Sequence, residues 1–229
     1  MAIPLYLAQT AAEFASSTPK PEHLAWMACH FSSYGTGITN LPNHLPPGSL
    51  LILNDRTTVQ GHDPDAVCKA LLDTAERLNC QGILLDFEHK GCGKIAEKAV
   101  TLPFPVAVTE AYARNLDCTV FLSAPPLNIP LSDYIQPWKG REIWLEAALG
   151  CEEIAVTEKG SQISDLELPT TEEFPFFDEK LHCLYRTEIE KESIRFTLRR
   201  GKEELTGLLE EAQQLGIKCA VGLYQELGR

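Results

Sequence analysis

Short apolar runs recur along the chain with helix signatures between them, and this alternation constrains the fold more than any other feature. Ile3 to Gln9, Leu24 to Phe31, Leu50 to Leu53, Gly82 to Phe87, Val106 to Val108, Thr119 to Leu122, Ile143 to Leu145 and Ile217 to Leu223 read as strands. Runs such as LLIL and GILLDF are apolar at nearly every position, as a parallel strand covered on both faces requires. Asp63 reads as an N-cap, with Pro64 at the first helical position, for a helix over Asp65 to Leu78. Its apolar residues at 67, 71, 72, 75 and 78 keep helical spacing. A helical turn is expected over Ala11 to Ala15, and helices over Lys94 to Val100 and Lys202 to Leu215, the last closed by Gly216.

Strands alternating with helices point to a parallel α/β sheet, and about seven or eight strands suit a barrel. The expected fold is therefore a small TIM (β/α)8-type barrel, complete or incomplete, in a single domain over residues 1–229. Between Glu110 and Arg141 there is room only for short connections, without full helices. From about Glu152 to Arg199 the rhythm breaks. IAVTEKGSQIS and LHCLYRTEIEKESIRFTLR both read as hairpins with charged turns, so an antiparallel insertion is expected there.

Composition narrows the function classes. Hydrophobic residues make up 44% of the 229 and charged residues 23%, a balance that supports a buried core. The formal net charge of -12 repels phosphate backbones and argues against nucleic acid as a partner. Arg195, Arg199, Arg200 and Lys202 form a short basic run that reads as a solvated face. No apolar run approaches the roughly 20 residues that span a bilayer, so no membrane association is expected. The N-terminus has no Lys or Arg before its short apolar stretch, a poor secretory signal. Eight cysteines are scattered through apolar runs with no C-x-x-C pair, which points to free thiols and a reducing, cytoplasmic setting.

One segment carries the chemistry. Residues Gln81 to Glu88 read QGILLDFE. Side chains alternate along a strand, so Leu84, Asp86 and Glu88 share one face and Ile83, Leu85 and Phe87 the other. The second set suits packing under helices. The first suits the barrel interior, with Glu88 nearest the C-terminal mouth, where the sites of such barrels lie. Two adjacent carboxylates are costly to bury unless they share a proton or find partners, and such a pair can supply a general acid and the neighbour that orients it. Asp55, Glu110, Glu146 and Glu226 also follow predicted strands, and several acids at one mouth favour a polar, sugar-like or cationic ligand. Trp138, in a loop with Tyr134, is a candidate stacking platform, whereas Trp26 and Trp144 sit in strand runs and suit the core.

The segment resembles the fourth-strand signature of family 18 glycoside hydrolases, the chitinases and related N-acetylglucosaminidases, D-G-x-D-x-D-x-E, often ending DWE or DFE. Gly82, Asp86, Phe87 and Glu88 match it, while Gln81 and Leu84 stand at the two earlier Asp positions. The resemblance implies a retaining glycoside hydrolase for glycans containing N-acetylglucosamine. Glu88 would protonate the glycosidic oxygen. Asp86 would position the substrate acetamido group, whose oxygen is the nucleophile. For the family's later tyrosine-bearing strand motif, Tyr112, Tyr185 and Tyr224 are stand-ins. The expected substrate-binding set is Asp55, Glu110, Tyr112, Glu146, Trp138 and Tyr224, around a carbohydrate ligand with no cofactor. The oligomeric state is open.

Three other readings stand beside this one. The chain could bind glycans without cleaving them. It could be a metal-dependent barrel hydrolase using His30, His62 and His89 with Asp55, Asp63 and Glu88. The sequence has neither HxH nor HExxH, so no metal is expected. It could also be an interaction protein without a small-molecule site. The segment HKGCGK lacks the GxxxxGK[ST] phosphate-loop pattern, and no GxSxG elbow occurs.

Overall fold

The computed structural model describes residues 3–32, 37–56, 61–169, 173–191 and 193–228. Residues 33–36 and 57–60, inside two of the expected loops, lie outside the described residues. In chain order the strands are β1 (Leu5–Gln9), β2 (Leu24–Phe31), β3 (Ile38–Thr39), β4 (Leu50–Asn54), β5 (Gly82–Asp86), β6 (Val106–Thr109), β7 (Thr119–Leu122), β8 (Ile143–Glu146), β9 (Gly150–Thr157), β10 (Gly160–Leu166), β11 (Phe176–Asp178), β12 (Cys183–Ile189), β13 (Ser193–Arg200) and β14 (Cys219–Leu223). The helices are α1 (Ala11–Ser16), α2 (Pro64–Arg77), α3 (Gly93–Ala99), α4 (Glu110–Ala113), α5 (Leu131–Tyr134), α6 (Lys202–Gln214) and α7 (Tyr224–Leu227), with a 3-10 turn over Gln136–Trp138. No helix among the described residues is long and apolar enough to cross a membrane.

The chain forms two compact units. The first holds residues 4–123, 140–146 and the segment after 216. In it, β1, β2, β4, β5, β6, β7, β8 and β14 pair in parallel, each with its neighbour in that order. The β1–β2 and β1–β14 pairings complete the ring, so the eight-stranded barrel is closed. A register shift in β2 between Trp26 and Cys29 marks an irregularity, and the two-residue β3 adds antiparallel beside it.

Strand alternation sorts the side chains into two cores. Tyr6, Ala8, Leu50, Ile52, Leu84, Ala107, Phe121, Trp144 and Val221 fill the barrel interior. Leu51, Leu53, Ile83, Leu85, Val106 and Val108 point the other way, onto Val67, Cys68 and Leu71 of α2 and Ile95, Ala96 and Ala99 of α3. The Asp63 side chain caps α2, accepting from the Asp65 amide at 3.0 Å. The interior is tight at its closed end. A Cβ on Gly82 would stand 2.7 Å from the Trp144 indole and 3.2 Å from the Pro105 carbonyl oxygen.

After β6 the connections shorten. Helix α4 has four residues, and the carbonyls of that region are gathered by Arg141. Its guanidinium donates to Ala113, Leu116 and Cys118 carbonyls at 2.9, 2.5 and 2.6 Å. One long cation satisfies acceptors that a full helix would have satisfied internally.

The second unit comprises residues 124–139 and 147–216 with Ile3. Its sheet is antiparallel, ordered β10-β9-β13-β12-β11, so the expected antiparallel excursion spans Gly150–Arg200 with five strands. Leu127, Cys183 and Leu198 form its core, with Ile154, Tyr185 and Phe196 packed against it. Arg200 closes β13 and is almost fully buried. It donates to the Pro125, Leu181 and His182 carbonyls at 2.9, 2.9 and 3.3 Å.

All eight cysteines are free, and seven are buried. Burial pushes the Cys29, Cys92, Cys183 and Cys219 thiols up to about 12, so they stay protonated and unreactive. Thiol titration without reductant is expected to count eight groups after denaturation, with Cys118, the least buried, reacting first in the native chain. Gly82→Ala is expected to destabilise the fold by about 1–3 kcal/mol, because the new methyl overpacks Trp144; urea unfolding of the variant reads this directly.

Candidate active site

The C-terminal ends of the barrel strands converge on one cavity of about 380 Å³. Each contributor is placed by strand parity. Ile52, Leu84 and Phe121 line its floor, and Asn54, Asp86, Thr109, Glu146 and Leu223 lie at the strand ends around it. Glu88, Glu110 and Arg56 come from just beyond those ends. The mouth thus gathers four carboxylates, Asp86, Glu88, Glu110 and Glu146, with one guanidinium.

Strand β5 ends at Asp86, so Glu88 belongs to the following loop. It still lines the cavity with Leu84 and Asp86, while Phe87 is buried in the outer core with Ile83 and Leu85. The loop is held by its backbone. The Asp55 carboxylate, 4% exposed, accepts from the Glu88 amide at 3.1 Å and the His89 amide at 2.7 Å. The His89 ring lies 3.1 Å from the same carboxylate, and the Cys92 thiol donates to it at 3.8 Å. Thr109 Oγ1 donates to the Phe87 carbonyl at 2.7 Å. The Tyr112 hydroxyl donates to the His89 carbonyl and accepts from the Cys92 amide at 3.2 Å. Residues from β4 and its end, β6 and α4 therefore fix residues 87–92, while the Glu88 side chain is exposed.

Asp86 is the perturbed acid. Burial pushes its carboxyl up to about 6, and the charges of Glu88, Glu146 and Asp55 push in the same direction. Arg56 opposes them. Desolvation disfavours the charged form and like charges disfavour it further, so Asp86 takes up its proton well above the usual carboxylate range. With an apolar Leu84 preceding it on the same strand face, Asp86 has no carboxylate beneath it.

The other sequence candidates fall in different places. Glu110 and Glu146 line the cavity. Asp55 and Tyr112 are engaged with the loop after β5, as described, and are not among the cavity-lining residues. Tyr224 opens α7 after β14 and does not line the cavity either. Trp138 is buried in the second unit, 9% exposed. The histidines of the metal reading are dispersed. His30 Nδ1 lies 3.0 Å from the Ala28 carbonyl, the His62 ring packs on Phe31 at 4.8 Å, and His89 is on Asp55. Among the described residues, no group of three or more His, Cys, Asp or Glu side chains is arranged to hold a metal ion.

Two contributors were not picked out from the sequence. Arg56 supplies the cation at the mouth, and Thr109 braces the loop. Both directly follow or end apolar runs, LLILND before Arg56 and VAV before Thr109, so their position at strand ends was the available signal.

The chain matches no protein-family model and no curated protein. Solved structures share its fold. The spore cortex-lytic enzyme SleL of Bacillus cereus superposes with a TM-score of 0.52 at 10% identity, over 96% of this chain and 70% of that one. A chitinase from Chromobacterium violaceum superposes with a TM-score of 0.52 at 10% identity, over 96% of this chain and 93% of that one. The chain therefore has the barrel fold found in these two enzymes.

Proposed function

We propose that this chain is a retaining glycoside hydrolase of the family 18 type, acting on glycans that contain N-acetylglucosamine. The observation that carries the reading is the carboxylate pair after the fourth barrel strand. Asp86 is half-buried with its carboxyl pushed up to about 6, Glu88 is exposed on a braced loop, and both line one cavity. The match of Gly82, Asp86, Phe87 and Glu88 to the family signature supports it. So does a fold in common with a chitinase and a cortex-lytic enzyme, since chemistry of this kind is hosted by that scaffold. Fold likeness alone does not assign an activity, and the weight rests on the pair.

In the proposed reaction Glu88 donates its proton to the glycosidic oxygen as the bond to the anomeric carbon breaks. The acetamido oxygen of the same sugar attacks that carbon, and Asp86 accepts a hydrogen bond from the acetamido N–H as positive charge develops there. Water then opens the cyclic intermediate, returning a proton to Glu88. Bracing of the loop through the Glu88 and His89 amides keeps the acid in place without occupying its side chain. Glu110, Glu146 and Arg56 are placed to meet sugar hydroxyls. Asp55 and Tyr112 of the substrate-binding set support that ligand through the loop they hold. A cytoplasmic location belongs to the same proposal and rests on the eight free thiols.

Leu84 favours a second reading on the same site, glycan binding without cleavage. Where the signature has a carboxylate to share Asp86's proton, this chain has an apolar side chain buried in the barrel interior.

Glu88→Gln keeps the shape and removes the transferable proton. It is expected to lower cleavage of chitooligosaccharide by about 100-fold or more while leaving binding of the intact oligomer measurable by calorimetry. Asp86→Asn is expected to impair N-acetylated substrates far more than plain glucosides. If the wild type binds the oligomer and releases no product, the binding reading replaces the hydrolytic one; if it does neither, both are lost.

A pH dependence follows from Asp86. Its folded-state value of about 6 lies above the ordinary 3.8, so between these limits the folded chain holds a proton that the unfolded chain has lost. Stability contributed by this group is therefore greatest at low pH and declines as pH rises through that window. Asp86→Asn removes the penalty, and above pH 6 it is expected to be more stable than the wild type by roughly 1–2 kcal/mol. Urea unfolding at several pH values would show the two curves converging near pH 4 and separating above it; parallel curves would refute the assignment.

A further inference from the structure

We propose that the chain forms a two-fold dimer by pairing strand β10 with β10 of a second copy. The two edges of the antiparallel sheet differ. At one end β11 has three residues, a short edge of the kind that resists further pairing. At the other, β10 has seven residues, all exposed, and among the described residues it pairs only with β9. Its sequence, GSQISDL, has no lysine, proline or register shift, the devices by which exposed edges are normally protected.

The sheet face that ends at this edge is apolar. Register pairs place Ile163 beside Ile154 and Ile154 beside Phe196 in one row, and Val156 beside Ile194 in the next. Ile163 is 51% exposed, Val156 38% and Ile194 39%, so the apolar row runs out to the open edge instead of stopping at the core of the unit. The opposite face carries Glu153, Arg195, Arg186 and Glu188.

A second copy fits this edge in one particular register. For two antiparallel copies related by an axis perpendicular to the sheet, facing residues must share a face. Centring the axis on Ile163 sets Ile163 against Ile163 of the other copy and joins the two apolar rows. The same register sets Gln162 against Ser164 and Ser161 against Asp165, with no like charges opposed. It also brings Lys159 opposite Glu167, twice across the axis, and both residues are exposed. A shift of the axis to Gln162 or Ser164 places Ile163 against Ser161 or Asp165 and loses the apolar match. An isologous contact of this kind closes on itself, so it yields a dimer and not a fibre. The main chain supplies the pairing, as in strand addition generally.

Sedimentation velocity of the full chain over a range of concentrations tests this. The wild type is expected to reach the dimer mass as concentration rises and to dissociate on dilution. Ile163→Lys opposes two cations on the axis and should leave a monomer with an unchanged circular dichroism spectrum. Lys159→Glu and Glu167→Lys should each weaken association by roughly tenfold, the scale of reversing two exposed ion pairs, and the double reversal should restore it. A wild type that stays monomeric at every concentration overturns the proposal, as does a dimer indifferent to Ile163→Lys. Open-ended association, or a double reversal that restores nothing, overturns the register.

Discussion

A closed ring of eight parallel strands has a single interior, and whatever enters it is cut off from water. That constraint organises the first unit. Along the middle of the strands the inward positions are Leu50, Ile52, Leu84, Ala107, Phe121 and Trp144, and none is charged. The charged side chains of the site, Asp86, Glu88, Glu110, Glu146 and Arg56, stand at or just beyond the strand ends. The gradient from apolar floor to acidic rim follows from the cost of burying charge rather than from any one motif.

Asp86 stands where the two regimes meet. It is the last residue of its strand, close enough to the floor to be desolvated and close enough to the rim to feel three other carboxylates. Its raised proton affinity is the electrostatic expression of that position. Glu88, two residues further, has left the ladder and is exposed. One strand end thus holds two acids in different surroundings, the arrangement by which proteins divide acid and base roles between like residues.

Much of this is legible in the sequence. Parity along QGILLDFE sorted Leu84 from Ile83 and Leu85, and the structure divides them between the interior and the outer core in the same way. The apolar runs located all eight barrel strands, and the paucity of helix signals between Glu110 and Arg141 corresponds to the short α4 and α5. Less legible were contacts between residues far apart in sequence. Asp55 follows a strand as Glu146 does, and nothing local tells that one grips a loop 33 residues away while the other lines the cavity. Trp138, a candidate platform from its place in a loop with Tyr134, is buried, and nothing local signals that. Closure of the ring was likewise beyond local reading, because β1 pairs at once with its sequence neighbour β2 and with β14 from the far end of the chain.

The hold of Asp55 on the loop after β5 has a consequence for how such a site can change over evolutionary time. The grip reaches residue 88 through its amide hydrogen, a group every amino acid but proline carries. The frame of the loop is thereby separated from the identity of the side chain it displays. A replacement at 88 exchanges one reagent for another on an unaltered mount, so chemistry can be lost, weakened or reinvented there while the barrel beneath is preserved.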